Sequence, residues 1–292
     1  MEILKNSEHA EFLAARAANV KLSQFLISSS MLLRKGEKSA ALGILVKALN
    51  KDPYHLWGLW QLTQALPAQA KASKVKSLEL VALRSPSFIN LALLGNALYD
   101  AGLLKEAKRT YFRALEKDAE GHELCFEVFK NLGNIFVQDQ DFDTAEEYYQ
   151  KALMVNQRSA TLFANLGVLS LQVQNMEEAR ISFIKAIELD PRLDAGWVGI
   201  AICHHQKADF ELALAALEKA LDLNPKNRTA VHLYCNWCVS LNILTKGIDR
   251  LMDYLAWAYD DVEMSQLAAY LLEKLGLKDW ANIELERSQL FS

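Results

Sequence analysis

Bulky apolar, small and polar side chains follow one another along this chain with a helical period, and the whole arrangement returns after 34 residues. In the window that starts at Ala160, bulky Phe163, Leu166 and Phe183 stand at positions 4, 7 and 24. Small Gly167, Ala179 and Ala186 stand at positions 8, 20 and 27, and Pro191 at position 32. From Asp194 the same positions hold Trp197, Ile200 and Leu217, then Ala201, Ala213 and Ala220, then Pro225. The spacing predicts helices, with a proline near the end of the window that has no N–H to continue a helix. Small residues let the helices approach, and bulky ones fill the spaces between neighbours. A single window cannot bury its apolar face alone, so the windows must stack.

Following the phase outward gives eight windows, beginning near Leu22, Leu56, Phe88, Phe126, Ala160, Asp194, Arg228 and Val262. The window at Phe88 carries Leu94, Gly95, Ala107, Tyr111 and Ala114, and the one at Phe126 carries Leu132, Gly133, Ala145, Tyr149 and Ala152. Those at Leu56 and Arg228 depart most from the pattern. The pattern resembles the tetratricopeptide repeat, a helix-turn-helix unit of about 34 residues. The resemblance covers 22–292 and implies an all-α, right-handed superhelical solenoid of about eight repeats. The segment 1–21 reads as a helix with Ile3, Leu4, Phe12, Leu13 and Val20 on its apolar side, which either caps the array or occludes its groove. At the other end Trp280 to Leu290 is expected to cap the stack, with Glu284, Glu286 and Arg287 in water and Ile283 and Leu285 packed inward.

The resemblance also implies that positions 2, 5, 6, 9, 12 and 13 of each repeat line a concave groove, and these positions differ along the chain. The middle repeats place Asn96, Lys130, Asn131, Asn134, Gln138, Asn165 and Gln172 there, whereas the first two place Leu26, Ile27, Leu33, Trp57 and Trp60. An amide offers both a donor and an acceptor, so a row of them can hold the backbone of an extended peptide without reading its sequence. Each such bond is worth only about 0.5–1.5 kcal/mol, so several must act together. Trp57 and Trp60 share one helix face at i, i+3 spacing; one phase turns it to the groove as an apolar anchor, and a phase starting two residues earlier turns it to the core. A carboxylate clamp of the kind that holds a peptide's C-terminus would use Lys130, Asn134 and Asn165, but Ala195 and Gly199 stand where its two further cations belong. One positive charge alone leaves little of a charge-assisted carboxylate site. His205 and His232 fall at groove positions 12 and 5 of adjacent repeats and are placed to face each other.

Composition narrows the setting. An apolar fraction of 51% with 23% charged residues describes a folded chain, and no long apolar run predicts membrane insertion. Glu2, Glu8, His9 and Glu11 interrupt any secretory core, and four cysteines without framework spacing suit a reducing compartment, so a cytoplasmic protein is expected. A net charge of −4 argues against nucleic acid as a partner. The run Lys71, Lys74, Lys76 and Arg84 reads as a solvated face. Cys235 and Cys238 form a C-x-x-C with Cys203, His204 and His205 one repeat earlier, but they occupy positions where repeats pack, so small buried hydrophobes are expected and neither metal nor other cofactor. No phosphate-binding glycine loop or nucleophile elbow is present. The sequence therefore points to a non-catalytic adaptor or scaffold that holds a peptide or helical segment of a partner protein. A structural subunit that self-assembles through its convex face or ends, or a regulator of a signalling protein, remain as alternatives, and the oligomeric state stays open.

Overall fold

A computed structural model describes residues 22–50, 52, 59, 62, 65–66, 70–117 and 122–291. Met1 to Lys21, and with it the expected N-terminal helix, lies outside the described residues, as do Trp57 and Trp60. Every regular element among the described residues is a helix. The chain divides into two compact halves, Met1–Asp139 and Gln140–Ser292.

The first half contains α1 (22–34), α2 (Lys38–Leu49), α3 (Lys71–Arg84), α4 (Phe88–Asp100), α5 (Leu104–Leu115) and α6 (Leu124–Gln138). Leu22 and Leu26 of α1 pack with Leu45 and Ala48 of α2 and with Ala65. Leu26 is therefore core and not groove, because it shares the α1 face that meets α2, while its neighbour Ile27 is exposed. Helices α4 and α5 pair through small residues. Ala107 and Ala114 are fully buried, and Gly95 lets the Tyr111 ring lie directly on the α4 backbone, where a methyl group would come within 2.5 Å of it.

The second half runs through α7 (Phe142–Val155), α8 (Ala160–Gln172), α9 (Met176–Leu189), α10 (Asp194–Gln206), α11 (Phe210–Leu223), α12 (Arg228–Ser240), α13 (Leu244–Leu255), α14 (Val262–Lys274) and α15 (Lys278–Leu290). One apolar core runs continuously from Ala179 to Ala281, as stacking of units that are too thin to be stable singly requires. Polar side chains start several of these helices. Asp141, Ser159, Asn175, Asn227 and Asp261 each accept a backbone N–H of the first turn.

Among the described residues, the turn within a pair reverses through a left-handed residue that closes the first helix. Gly36, Gly102 and Gly276 hold φ of +78° to +79°, and Gln174, Ala208 and Asn242 hold φ of 58° to 61° at the corresponding place. Ala208 and Asp209 donate back to the carbonyls of His205 and His204, so the bend is fixed by hydrogen bonds that ignore side-chain identity. An L-residue with a Cβ is strained there, and alanine has no polar group to compensate. Replacing Ala208 with glycine is expected to raise the unfolding free energy by about 0.5–1 kcal/mol, read as a higher urea midpoint at unchanged slope.

The C-terminal helix packs through a different stripe from the one expected, although Glu286 is exposed as read. Ala281, Glu284 and Ser288 turn inward, with Glu284 only 1% exposed, while Ile283 and Leu285 stand 50% and 43% exposed. The reason lies in the repeat itself. The inward stripe meets α14, whereas Leu285 occupies the place held by Phe183, Leu217 and Leu251 in earlier pairs, where the following pair covers the side chain. Glu284 is held by Arg287 one turn on, at 3.2 Å, and burial pushes its carboxyl above the ordinary range.

Candidate functional site

The side chains placed in the groove by sequence fall into two groups once their partners are known. In the first half, Tyr111 reaches up from α5 between α4 and α6. Its hydroxyl donates to Asn96 Oδ1 at 2.7 Å, and Asn131 Nδ2 donates to the Tyr111 oxygen at 2.9 Å and to Asn96 Oδ1 at 3.3 Å. Asn131 is 6% exposed, so its amide serves this internal network and not a ligand. Burial holds the Tyr111 phenol far above its ordinary value, keeping it a neutral donor. Asn134 Nδ2 donates to Tyr99 Oη at 3.0 Å, and Lys130 pairs with Glu127 one turn earlier while standing over the Phe126 ring. Asn96, Lys130 and Asn134 remain half-buried, and Gln138 is exposed on the last turn of α6.

In the second half, Asn165 is half-buried and Gln172 exposed on α8. Of the two positions that the carboxylate clamp would fill with cations, Gly199 lies directly against the Phe183 ring, so a side chain there has no room. Packing between repeats thus accounts for the missing charge at position 199, while Ala195 is exposed. His205 and His232 each take a different partner. The His205 ring stacks on Trp237, with centroids 4.2 Å apart and planes 11° from parallel, while His232 lies 3.8 Å from Glu263 and within 3.4 Å of Asn236. Aromatic stacking accounts for the place of the first.

The cysteine pair is structural in its surroundings. Cys235 and Cys238 are fully buried, the Cys235 thiol donates to the Gly247 carbonyl at 3.3 Å, and burial pushes the two thiols up to about 12 and about 11. Such thiols supply little thiolate at neutral pH. Among the described residues no three histidines, cysteines or carboxylates are grouped so as to hold a metal ion. No helix among them is long and apolar enough to cross a membrane.

Sequence alone missed Tyr111 and Tyr99 as partners of the amides. A signal was available: a tyrosine at position 24 followed, in the next repeat, by an asparagine at position 6 puts an inward phenol beneath an inward amide. It missed the environment of Phe183 as well, because a glycine at position 6 reads as an absent groove residue and not as a seat for a ring.

A family model described as tetratricopeptide repeat matches residues 92–161 and 130–194, and a second model of the same description matches 195–227. No curated protein matches the sequence. Among solved structures, the chain resembles one titled as the APC/C hetero-tetramer Cut9–Hcn1, with a TM-score of 0.62 and 18% identity over 92% of this chain. It spans 52% of the length of that relative. PilF of Pseudomonas aeruginosa aligns with a TM-score of 0.61 and 17% identity, over 77% of this chain and 99% of its own. A tetratricopeptide repeat protein of Parabacteroides merdae aligns with a TM-score of 0.52 and 15% identity, over 93% of both chains. At these identities the likeness is one of fold.

Proposed function

The chain is a tetratricopeptide repeat protein with an all-α repeat-solenoid fold, and on that premise we propose that it acts as a non-catalytic adaptor, holding a peptide or helical segment of a partner protein against the first helices of its repeats. Repeats of this kind generally mediate protein–protein interaction and are typically scaffolds without catalytic groups. The observation that carries the reading is the rigid polar frame of Asn96, Tyr111 and Asn131. It fixes the α4 and α6 faces by hydrogen bonds, so Asn96, Lys130, Asn134 and Gln138 are presented without the ordering cost that a loose surface would incur. In the second half Asn165 and Gln172 present a polar surface of their own on α8, and Trp57 and Trp60 are the proposed apolar anchors. The working setting is the cytoplasm, with protein and not nucleic acid as the partner class.

The test is affinity capture from the native organism, repeated with Asn165→Ala combined with Gln172→Ala, and separately with Lys130→Glu. Each lost hydrogen bond is expected to weaken a captured partner about 2- to 10-fold, with circular dichroism checking that every variant is folded. A partner bound equally by all variants excludes the groove. A second reading, self-assembly through an end of the array, is favoured by the exposed Trp280, Ile283 and Leu285 of α15. Light scattering separates the two, since an oligomer that Ile283→Glu dissolves, and that is indifferent to the groove variants, supports assembly.

A further inference from the structure

The second half carries a cleft on a face that the groove does not use. Helices α7 and α9 form its walls and α8 its floor, and it encloses about 540 Å³. Its floor side chains on α8 are Phe163, Leu166, Leu169, Ser170 and Val173, at positions 4, 7, 10, 11 and 14 of the repeat. None coincides with a groove position, so Asn165 and Gln172 point from the same helix to a different side. Phe163 and Leu166 are half-buried, and Val173 and Ile181 stand 50% and 51% exposed, which leaves an apolar strip open to a partner.

The rim is acidic. Asp143 and Glu146 border the cleft on α7 and Glu178 and Glu188 on α9, against Lys185, whose ammonium is already paired with Glu188 at 3.3 Å. Among the described residues Asp143, Glu146 and Glu178 form no salt bridge. Like charges collected on both walls of an apolar slot cost free energy in the unliganded protein and are relieved by a cation-bearing occupant. The walls run side by side for about three helical turns, roughly 15 Å at the helical rise. That length and shape match an α-helix laid into a groove and are too long for one side chain. An anionic membrane surface is repelled by the same carboxylates. Of the chain's basic helices, α3 has already buried Val75, Leu78, Val81 and Ala82 in its own half and α5 has buried Ala107, Tyr111 and Ala114, so neither offers a second copy a free apolar stripe.

We propose that the α7–α9 cleft docks an amphipathic helix of a partner protein, with bulky apolar residues at i, i+3 or i+4, and i+7 seated on Phe163, Leu166, Val173 and Ile181, and with lysines or arginines flanking that stripe to meet Asp143, Glu146 and Glu178. The site is independent of the groove, so an adaptor of this build holds two partners at once.

The probe is a fluorescein-labelled synthetic helix carrying leucines at that spacing and lysines on both flanks, titrated with the full chain by anisotropy. Micromolar affinity that falls with added salt is expected. Ile181→Glu should weaken it at least about tenfold. Glu146→Lys with Glu178→Lys should do the same, and a probe with glutamates in place of its lysines should recover binding to that double variant. Asn165→Ala with Gln172→Ala should leave affinity unchanged. The proposal is overturned by failure to saturate below about 1 mM, by equal binding of a probe with scrambled leucines, or by loss of binding in the groove variant, which would place the helix in the groove. An oligomer of the chain that Ile181→Glu dissociates overturns it too, by showing that a second copy fills the cleft.

Discussion

Phe183→Ala is expected to lower the unfolding free energy by about 3–5 kcal/mol, the range for removing a fully buried phenyl ring. The ring is 1% exposed and lies between Gly167 of α8 and Gly199 of α10. A methyl group at Gly167 would stand 2.7 Å from the ring, and one at Gly199 would be closer still. The two glycines bring the backbones of α8 and α10 against the ring, so the surroundings cannot collapse into the vacated space without moving whole helices. Removing the ring therefore leaves a cavity, which places the cost at the upper end of the range. Gly199→Ala provides the complementary case. Alanine is the better helix former by about 1 kcal/mol, but the added carbon collides with a buried ring that also lies against Gly167, and overpacking of this kind costs about 1–3 kcal/mol. Net destabilisation is the expected sign. Urea denaturation measures both. Because stability in a stacked array is nearly a sum over neighbours, hydrogen exchange should show the loss concentrated in α8, α9 and α10, with α14 and α15 little changed.

That prediction also shows what the sequence could convey. The period was legible because it is written in side-chain volume: Gly167, Ala179 and Ala186 against Phe163, Leu166 and Phe183 can be read from one chain without coordinates. The face of α15 was not legible, since burial at position 24 depends on the neighbour that covers it, and Leu285 is 43% exposed where Phe183 is 1%. Glu284 looked like a solvent residue by composition and is inward by register. The polar side chains of α4, α6 and α8 could be placed on first helices from the repeat phase. Their engagement could not, because whether Asn131 meets a ligand or Tyr111 is decided by a few tenths of an ångström in helix approach, which Gly95 permits and the residue pattern does not encode. The α7–α9 cleft was invisible for a related reason. Its residues sit at positions that the pattern assigns to packing, and only their partial exposure distinguishes a slot from a core.

Asp261→Ala is expected to cost about 2–4 kcal/mol, because one carboxylate fastens three helices. Its Oδ2 accepts from Arg228 Nε at 2.7 Å and from Tyr254 Oη at 2.9 Å, while its Oδ1 caps α14 through the Met264 N–H at 3.2 Å and accepts from Arg228 Nη2 at the same distance. A lost cap contributes about 1 kcal/mol, and the charged hydrogen bonds supply the rest, discounted because Arg228 is half exposed. Asn is a good cap but carries no charge, so Asp261→Asn isolates the ionic part and should cost less. The pH dependence separates the two contributions further. Hydrogen bonding from Arg228 holds the Asp261 carboxyl below its ordinary range, despite burial that acts the other way. With a depressed folded value, its contribution is complete above the unfolded value of about 3.9 and disappears as pH falls through the folded one. The difference in stability between wild type and Asp261→Asn should therefore be constant near neutrality and shrink below about pH 4. At the alkaline end burial, reinforced by the Asp261 carboxylate, pushes Tyr254 up to about 12. A raised phenol favours the fold until it must ionise, so wild-type stability should decline as pH rises from about 10 towards 12, and Tyr254→Phe should remove its share of that decline. Equal acid sensitivity of wild type and Asp261→Asn, measured by urea midpoints across pH, would show that the carboxylate does not carry the charge-dependent coupling between α12, α13 and α14.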